Sequence, residues 1–251
     1  MTDRETLSLL VHGEPGVGKS WLGQTTPAPR LVLDAEGGSR APKRIDADGK
    51  VKRVPQVEWD PLTGPPPEAG KWETCRVRVQ NFDTLKRVFE YLNSGQHPFR
   101  SVVLDSLTEI QKRCKDSIRD GDEVMNERMW GILLDRMELL IRAYRDLVDH
   151  PTKPIEALVI LALTKEHNFK NKPAVQGALG ISLPGYVDTE GFLAPLVDGD
   201  TGEEVRRLLI HPHERFEAKD RTHTLTAHYG HVIDNPNVEQ MLDVLNTEEY
   251  Q

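Results

Sequence analysis

The sequence predicts an α/β fold: a mainly parallel central sheet flanked by helices, with antiparallel strands added at its C-terminal edge. Three observations point there. Apolar runs at 7–11, 31–33, 101–104 and 157–163 have the near-continuous hydrophobicity of strands buried on both faces. Helical spacing appears between them, at 82–92 and again between 126 and 148. Further strand-like runs at 191–197, 205–210 and 222–226 follow closely with no helical pattern between them, as antiparallel strands do.

Taken in order, the run at 7–11 leads at once into Gly13, Pro15, Gly16 and Gly18, a strand entering a glycine-rich turn. The run at 31–33 ends on Asp34, followed by Glu36, Gly37 and Gly38. Residues 40–73 read as a long polar surface insertion. Six basic side chains stand against two acidic ones across 40–53, with a small hairpin expected at Asp48-Gly49, and Pro61, Pro65, Pro66 and Pro67 exclude helix or central strand. A strand is expected over 75–79. Apolar side chains at Met129, Leu133, Met137, Leu140, Ile141 and Tyr144 mark a long amphipathic helix. The stretch 168–186, with Gly177, Gly180, Pro184 and Gly185, reads as a loop carrying Lys170 and Lys172 and no carboxylate. A closing helix is expected over 238–245.

The 251 residues suit a single domain spanning 1–251, interrupted by the insertion. A formal charge of −8 argues against a surface coated all over by nucleic acid but leaves room for local basic segments. No apolar run reaches the roughly 18 residues of a membrane span, and Cys75 and Cys114 read as free thiols of a cytoplasmic protein.

Gly13-Glu14-Pro15-Gly16-Val17-Gly18-Lys19-Ser20 fits G-x-x-x-x-G-K-[ST] at every fixed position. Its glycines let backbone N–H groups turn toward a phosphate, and a following helix adds its positive end. Lys19 would reach the β- and γ-phosphates of ATP, and Ser20 would place its hydroxyl on Mg²⁺. Trp21 is bulky for its position. Core packing is the plainer reading and an adenine platform the alternative.

Two strand ends carry carboxylates. Asp105, ending the run at 101–104, is placed to hold Mg²⁺ beside the phosphate loop. Asp34 and Glu36 share a face if their strand continues, and hydrolysis needs a group that orients water. Physics alone leaves Glu36 between that role and a capping or turn carboxylate. Late in the chain, Lys219 and Arg221 flank Asp220. On a strand both cations project from one face and could complete a neighbouring subunit's nucleotide site, and a solvated face is the plainer reading. The cluster His211, His213, His223, His228 and His231 reads as surface histidines rather than a zinc site.

The phosphate loop, Leu33-Asp34-Ala35-Glu36, Val102-Val103-Leu104-Asp105-Ser106 and Lys219-Asp220-Arg221 together resemble the RecA-like P-loop ATPases. Among these the chain looks most like the phage-encoded RecA-type ATPases that include single-strand annealing proteins. The resemblance implies a RecA-like P-loop NTPase core, Glu36 as the water-positioning residue, and Asp105-Ser106 as the Mg²⁺ strand end. It implies Thr164 as a γ-phosphate sensor, with Lys165 or His167 as alternatives, and Lys219 and Arg221 acting in trans within a homo-oligomer. The implied cofactors are ATP and Mg²⁺. The implied partners are single-stranded DNA and a single-strand-binding protein, in the host cytoplasm if the protein is phage-encoded. Two other functions share the nucleotide chemistry: an ATP-driven regulator or loader acting on a protein without DNA, and a monomeric phosphotransferase.

Overall fold

In the computed structural model, which describes residues 4–38, 43–45, 51–119, 124–197, 199, 202 and 204–247, the first apolar run is β1 (Leu7–Gly13), buried throughout. The glycine-rich turn leads into the five-residue α1 (Lys19–Gly23) and then β2 (Arg30–Asp34). β3 (Lys43–Ile45) and β4 (Val51–Arg53) pair as an antiparallel hairpin; the turn expected at Asp48-Gly49 lies outside the described residues, as does Arg40. Next come β5 (Gln56–Glu58), β6 (Thr74–Arg78), α2 (Phe82–Asn93), β7 (Ser101–Asp105), α3 (Leu107–Asp116) and α4 (Glu127–Asp146). The last third holds β8 (Ala157–His167), β9 (Lys170–Pro173), α5 (Leu179–Ser182), β10 (Thr189–Val197) and β11 (Glu204–Leu209). β12 (Lys219–Asp220), α6 (Thr224–Tyr229), β13 (Val232–Asp234) and α7 (Val238–Leu245) complete it.

The main sheet runs β13-β11-β10-β1-β8-β7-β2-β6-β5, with β12 on β10 and β9 on β8. From β10 to β5 every neighbour is parallel; β11, β12 and β13 add the antiparallel edge. This is the expected α/β architecture. One face packs against α2, α3 and α4 through Leu85, Ile110 and Ile141; the other packs against α1 and α7 through Leu22 and Leu242. Continuous burial on both faces is why the strands read as unbroken apolar runs.

Register brings the functional strand ends together. Gly13 pairs with Leu163, Asp105 with Leu161, and Asp34 with Asp105. The carboxyl ends of β1, β8, β7 and β2 therefore open on one edge of the sheet, where ligands of open α/β sheets bind.

Four expectations are corrected. The insertion is not wholly a surface loop: β5 extends the sheet beside β6, and Val54, Trp59 and Trp72 are buried, the two tryptophans packing against Phe99. Aromatic burial outweighs the prolines there. The stretch 168–186 is only partly loop, because β8 runs on to His167 and turns back into β9, and Val175, Leu179 and Leu183 are buried. The run at 191–197 is not purely antiparallel, since β10 pairs in parallel with β1. Residues 222–226 enter α6 rather than a strand, because Asp220 accepts from the N–H and hydroxyl of Thr226 and starts a helical turn.

Candidate nucleotide site

The phosphate loop needs its glycines. Gly16 and Gly18 lie in the left-handed region, at φ 83° and 100°. A Cβ on Gly13 would stand 2.4 Å from the Leu193 carbonyl oxygen of β10. Glu14, Pro15 and Gly16 are exposed, Val17 is buried against the α1 face, and the Ser20 side chain is exposed at the helix start. The Lys19 ammonium donates to the carbonyls of Gly13 and Glu14, at 2.8 Å each. Burial lowers its pKa, while Glu36, Asp105 and Glu14 oppose that shift. The loop lysine and both predicted strand-end carboxylates therefore share one electrostatic site.

The carboxylates at the end of β2 have separate tasks. Asp34 is fully buried; it accepts from Arg76 Nη2 at 2.6 Å and Nε at 2.8 Å, and from the Gly37 N–H at 2.6 Å. It thus shapes the turn that carries Glu36. The Ala35 N–H bonds the Asp105 carbonyl at 2.6 Å, tying the two strand ends together. Glu36 is exposed, and its carboxylate accepts a hydrogen bond from the Ser106 hydroxyl, directly after β7. Exposed Ser20, buried Asp105 and Lys19 among backbone carbonyls fit a Mg²⁺-bound triphosphate.

Thr164 lies one residue beyond the Gly13–Leu163 pair, but the structure does not turn its hydroxyl to Lys19. It donates to the Lys172 carbonyl at 3.2 Å and lies 3.2 Å from His12 Nδ1. His12 Nε2 donates to the Glu217 carbonyl at 2.8 Å, and burial takes the ring down to about 4, so it is neutral. Of the alternatives, Lys165 donates to the Val175 carbonyl.

Lys219 and Arg221 are also away from the phosphate loop. The Arg221 N–H bonds the Asp188 carbonyl, and the Asp188 N–H bonds that of Ser8, five residues before Gly13. At strand rise this sets Arg221 about 16 Å back along the sheet, and Lys219, opposite Glu190 and so level with Leu10, about 10 Å back. Lys219 donates to Val187 at 2.7 Å and Arg221 to Gly185 at 2.9 Å. Neither can complete the site of its own chain from there.

Two features were not read from the sequence. One is the setting of Trp21, which is partly buried and lines a cavity of about 440 Å³ that begins at Gly18. Arg206 of β11 lies over its ring, 5.5 Å from the centroid, and closes against Gly18. Arg206 lies in β11, whose sequence Glu-Val-Arg-Arg-Leu-Leu carries no local motif that marks it. α3 was also missed, although Ser106-x-x-Glu109 is a capping-box pattern, and the Glu109 N–H does donate to the Ser106 hydroxyl at 3.4 Å.

Among the described residues, no group of three or more His, Cys, Asp or Glu side chains converges as a metal site, and no helix is long and apolar enough to cross a membrane. The late histidines include a stacked pair, His211 and His231, at 3.7 Å.

Comparison with known proteins adds the family. Among solved structures, the flagellar accessory protein FlaH from Methanocaldococcus jannaschii matches 86% of this chain and 80% of its own, at 10% identity and a TM-score of 0.40. No curated protein sequence matches. A family model described as AAA domain (AAA_24) matches residues 5–222, which span the phosphate loop, both carboxylate strand ends and the Lys-Asp-Arg element. The chain belongs to this AAA domain family.

Proposed function

We propose that the protein is a Mg²⁺-dependent ATPase that works as a homo-oligomer on single-stranded DNA, in recombination or strand annealing. The observation that carries the ATPase reading is the Gly13–Ser20 loop lying with Asp105 and Glu36 at the carboxyl ends of the parallel strands, along one edge of the sheet. Bound Mg²⁺-ATP would supply an activated γ-phosphate and the charge that polarises it. Gly13, Glu14, Pro15, Gly16, Val17 and Gly18 would wrap the phosphates with backbone N–H groups, and Lys19 would move from the loop carbonyls onto them. Ser20 and Asp105 would hold the metal, and Glu36 would orient water with Ser106 fixing its carboxylate. Trp21 and Arg206 would flank the base. Lys219 and Arg221 would act on a neighbouring subunit's nucleotide, and Thr164 would relay its state through His12.

The DNA arm of the proposal rests on the β8–β9 hairpin. Phe169 is 88% exposed at its tip, with Lys170 and Lys172 on the returning strand. An exposed aromatic beside cations suits base stacking and phosphate contacts. The hairpin starts at Thr164, next to the phosphate-loop strand, which favours coupling between nucleotide and DNA.

A loader acting on a protein partner is the second reading. Leu139 and Ile181 flank the Glu138–Ser182 hydrogen bond and are 61% and 85% exposed, an apolar surface suited to protein contact. ATPase rates with single-stranded DNA, duplex DNA and no nucleic acid, run with particle size in a non-hydrolysable ATP analogue, decide between them. Stimulation and assembly on single strands support the proposal; stimulation by neither nucleic acid defeats its DNA arm.

A further inference from the structure

A second polar cavity adjoins Glu36 and belongs neither to the phosphate loop nor to the Trp21 cleft. Its volume is about 300 Å³, and its walls include Glu36 and Gly37 beyond β2, Arg78 and Gln80 at the end of β6, and Arg113 of α3. Both arginines have donors to spare. Arg78 is exposed and has no hydrogen-bond or ion-pair partner among the described residues. Arg113 reaches Glu109 through Nη2 at 3.3 Å, yet its Nε is buried with no acceptor. Glu109 is shared with Lys112 at 3.0 Å, so its charge is divided. Glu36 lines the same cavity without an ion pair to either arginine, and accepts from Ser106 instead.

Guanidinium forks match the oxygens of phosphate closely. Glu36 is common to the cavity that holds the two arginines and to the site of the phosphate-loop lysine. We propose that Arg78, Arg113 and Gln80 form a second oxyanion site that receives the inorganic phosphate released by hydrolysis. This rests on the ATPase reading above. No bond forms or breaks there, since cleavage belongs to the phosphate loop and the cavity takes the free anion. The Glu36 carboxylate in the wall opposes tight retention of a dianion, as product departure requires.

The test is calorimetric titration with inorganic phosphate of protein saturated with Mg²⁺ and a non-hydrolysable ATP analogue, so that the phosphate loop is filled. One phosphate should bind, about tenfold more weakly in Arg78→Gln and in Arg113→Gln, the loss expected for one charge-assisted hydrogen bond. Lys19→Ala without nucleotide should bind phosphate as the analogue-filled protein does. Failure of phosphate to bind in either arm, unchanged binding in the double arginine variant, or equally good binding of acetate would overturn the assignment. Thermal melts accompany each variant, and the exposed Arg78 gives a substitution that leaves the core untouched. Analogue binding is titrated separately: its failure defeats the nucleotide reading, while the Lys19→Ala arm still decides the anion site.

Discussion

The Ser106 hydroxyl donates a hydrogen bond to the Glu36 carboxylate, joining the residues just past the ends of β7 and β2. Glu36 is exposed on a turn, so this contact limits where its carboxylate points. Ser106→Ala should lower kcat about tenfold, the loss expected from a misdirected base, with KM for ATP little changed. Because Ser106 also caps α3, stability should fall by about 1 kcal/mol. Ser106→Thr, which keeps hydroxyl and cap, should restore both; steady-state kinetics and denaturant melts check this.

Asp34 and Glu36, two residues apart, should separate cleanly. Asp34 is buried against Arg76, itself 6% exposed. Asp34→Ala leaves that guanidinium short of a charge partner and should cost about 3 kcal/mol of stability. Glu36→Ala, at an exposed position, should stay within about 0.5 kcal/mol of the parent. Urea unfolding of the two variants gives the comparison.

Stability should peak near pH 6.5. Burial takes His12 and His97 from 6.5 down to about 4, so both stay neutral in the native protein while the unfolded chain takes up protons. Their contribution is complete above 6.5 and is lost as pH falls toward 4. Glu190 has the opposite sign: burial, reinforced by Glu217, pushes it from 4.5 to about 8. Its contribution is complete below 4.5 and is lost as pH rises through 8. Two histidines outweigh one carboxyl on the acid side, and between 6.5 and 8 Glu190 turns the trend downward. Unfolding midpoints up to about pH 9 should fall for the parent and stay flatter for Glu190→Gln.

Action in trans predicts complementation. Arg221→Ala keeps its own phosphate loop, and Lys19→Ala keeps its own Lys-Asp-Arg element. Each should be inactive alone, and mixed oligomers should regain ATPase activity. Mixtures that stay inactive, despite co-assembly by size, would remove Arg221 from the site.

Much of this site is legible in one dimension. The Gly13–Ser20 spacing and the carboxylates after apolar runs are local patterns, and parallel register then lines up their ends without further information. Arg206 is not legible, since it reaches Trp21 only because β11 pairs with β10 and β10 with β1. Nor is Asp34's structural task, which depends on Arg76 arriving from the neighbouring strand. Trp59 and Trp72 mislead in the opposite direction: prolines nearby signal a loop, and their burial comes from packing on Phe99. The Lys219–Arg221 element is readable as a motif, while its distance from Gly13 is a property of β12 pairing.

The most direct test of the central claim is ATP binding and single-turnover hydrolysis by Glu36→Gln. The substitution preserves size and the hydrogen bond to Ser106 while removing the charge that orients water. ATP affinity should remain within about threefold of the parent while hydrolysis falls at least about a hundredfold. Hydrolysis at the parent rate would contradict the assignment of Glu36 and the reading of this site.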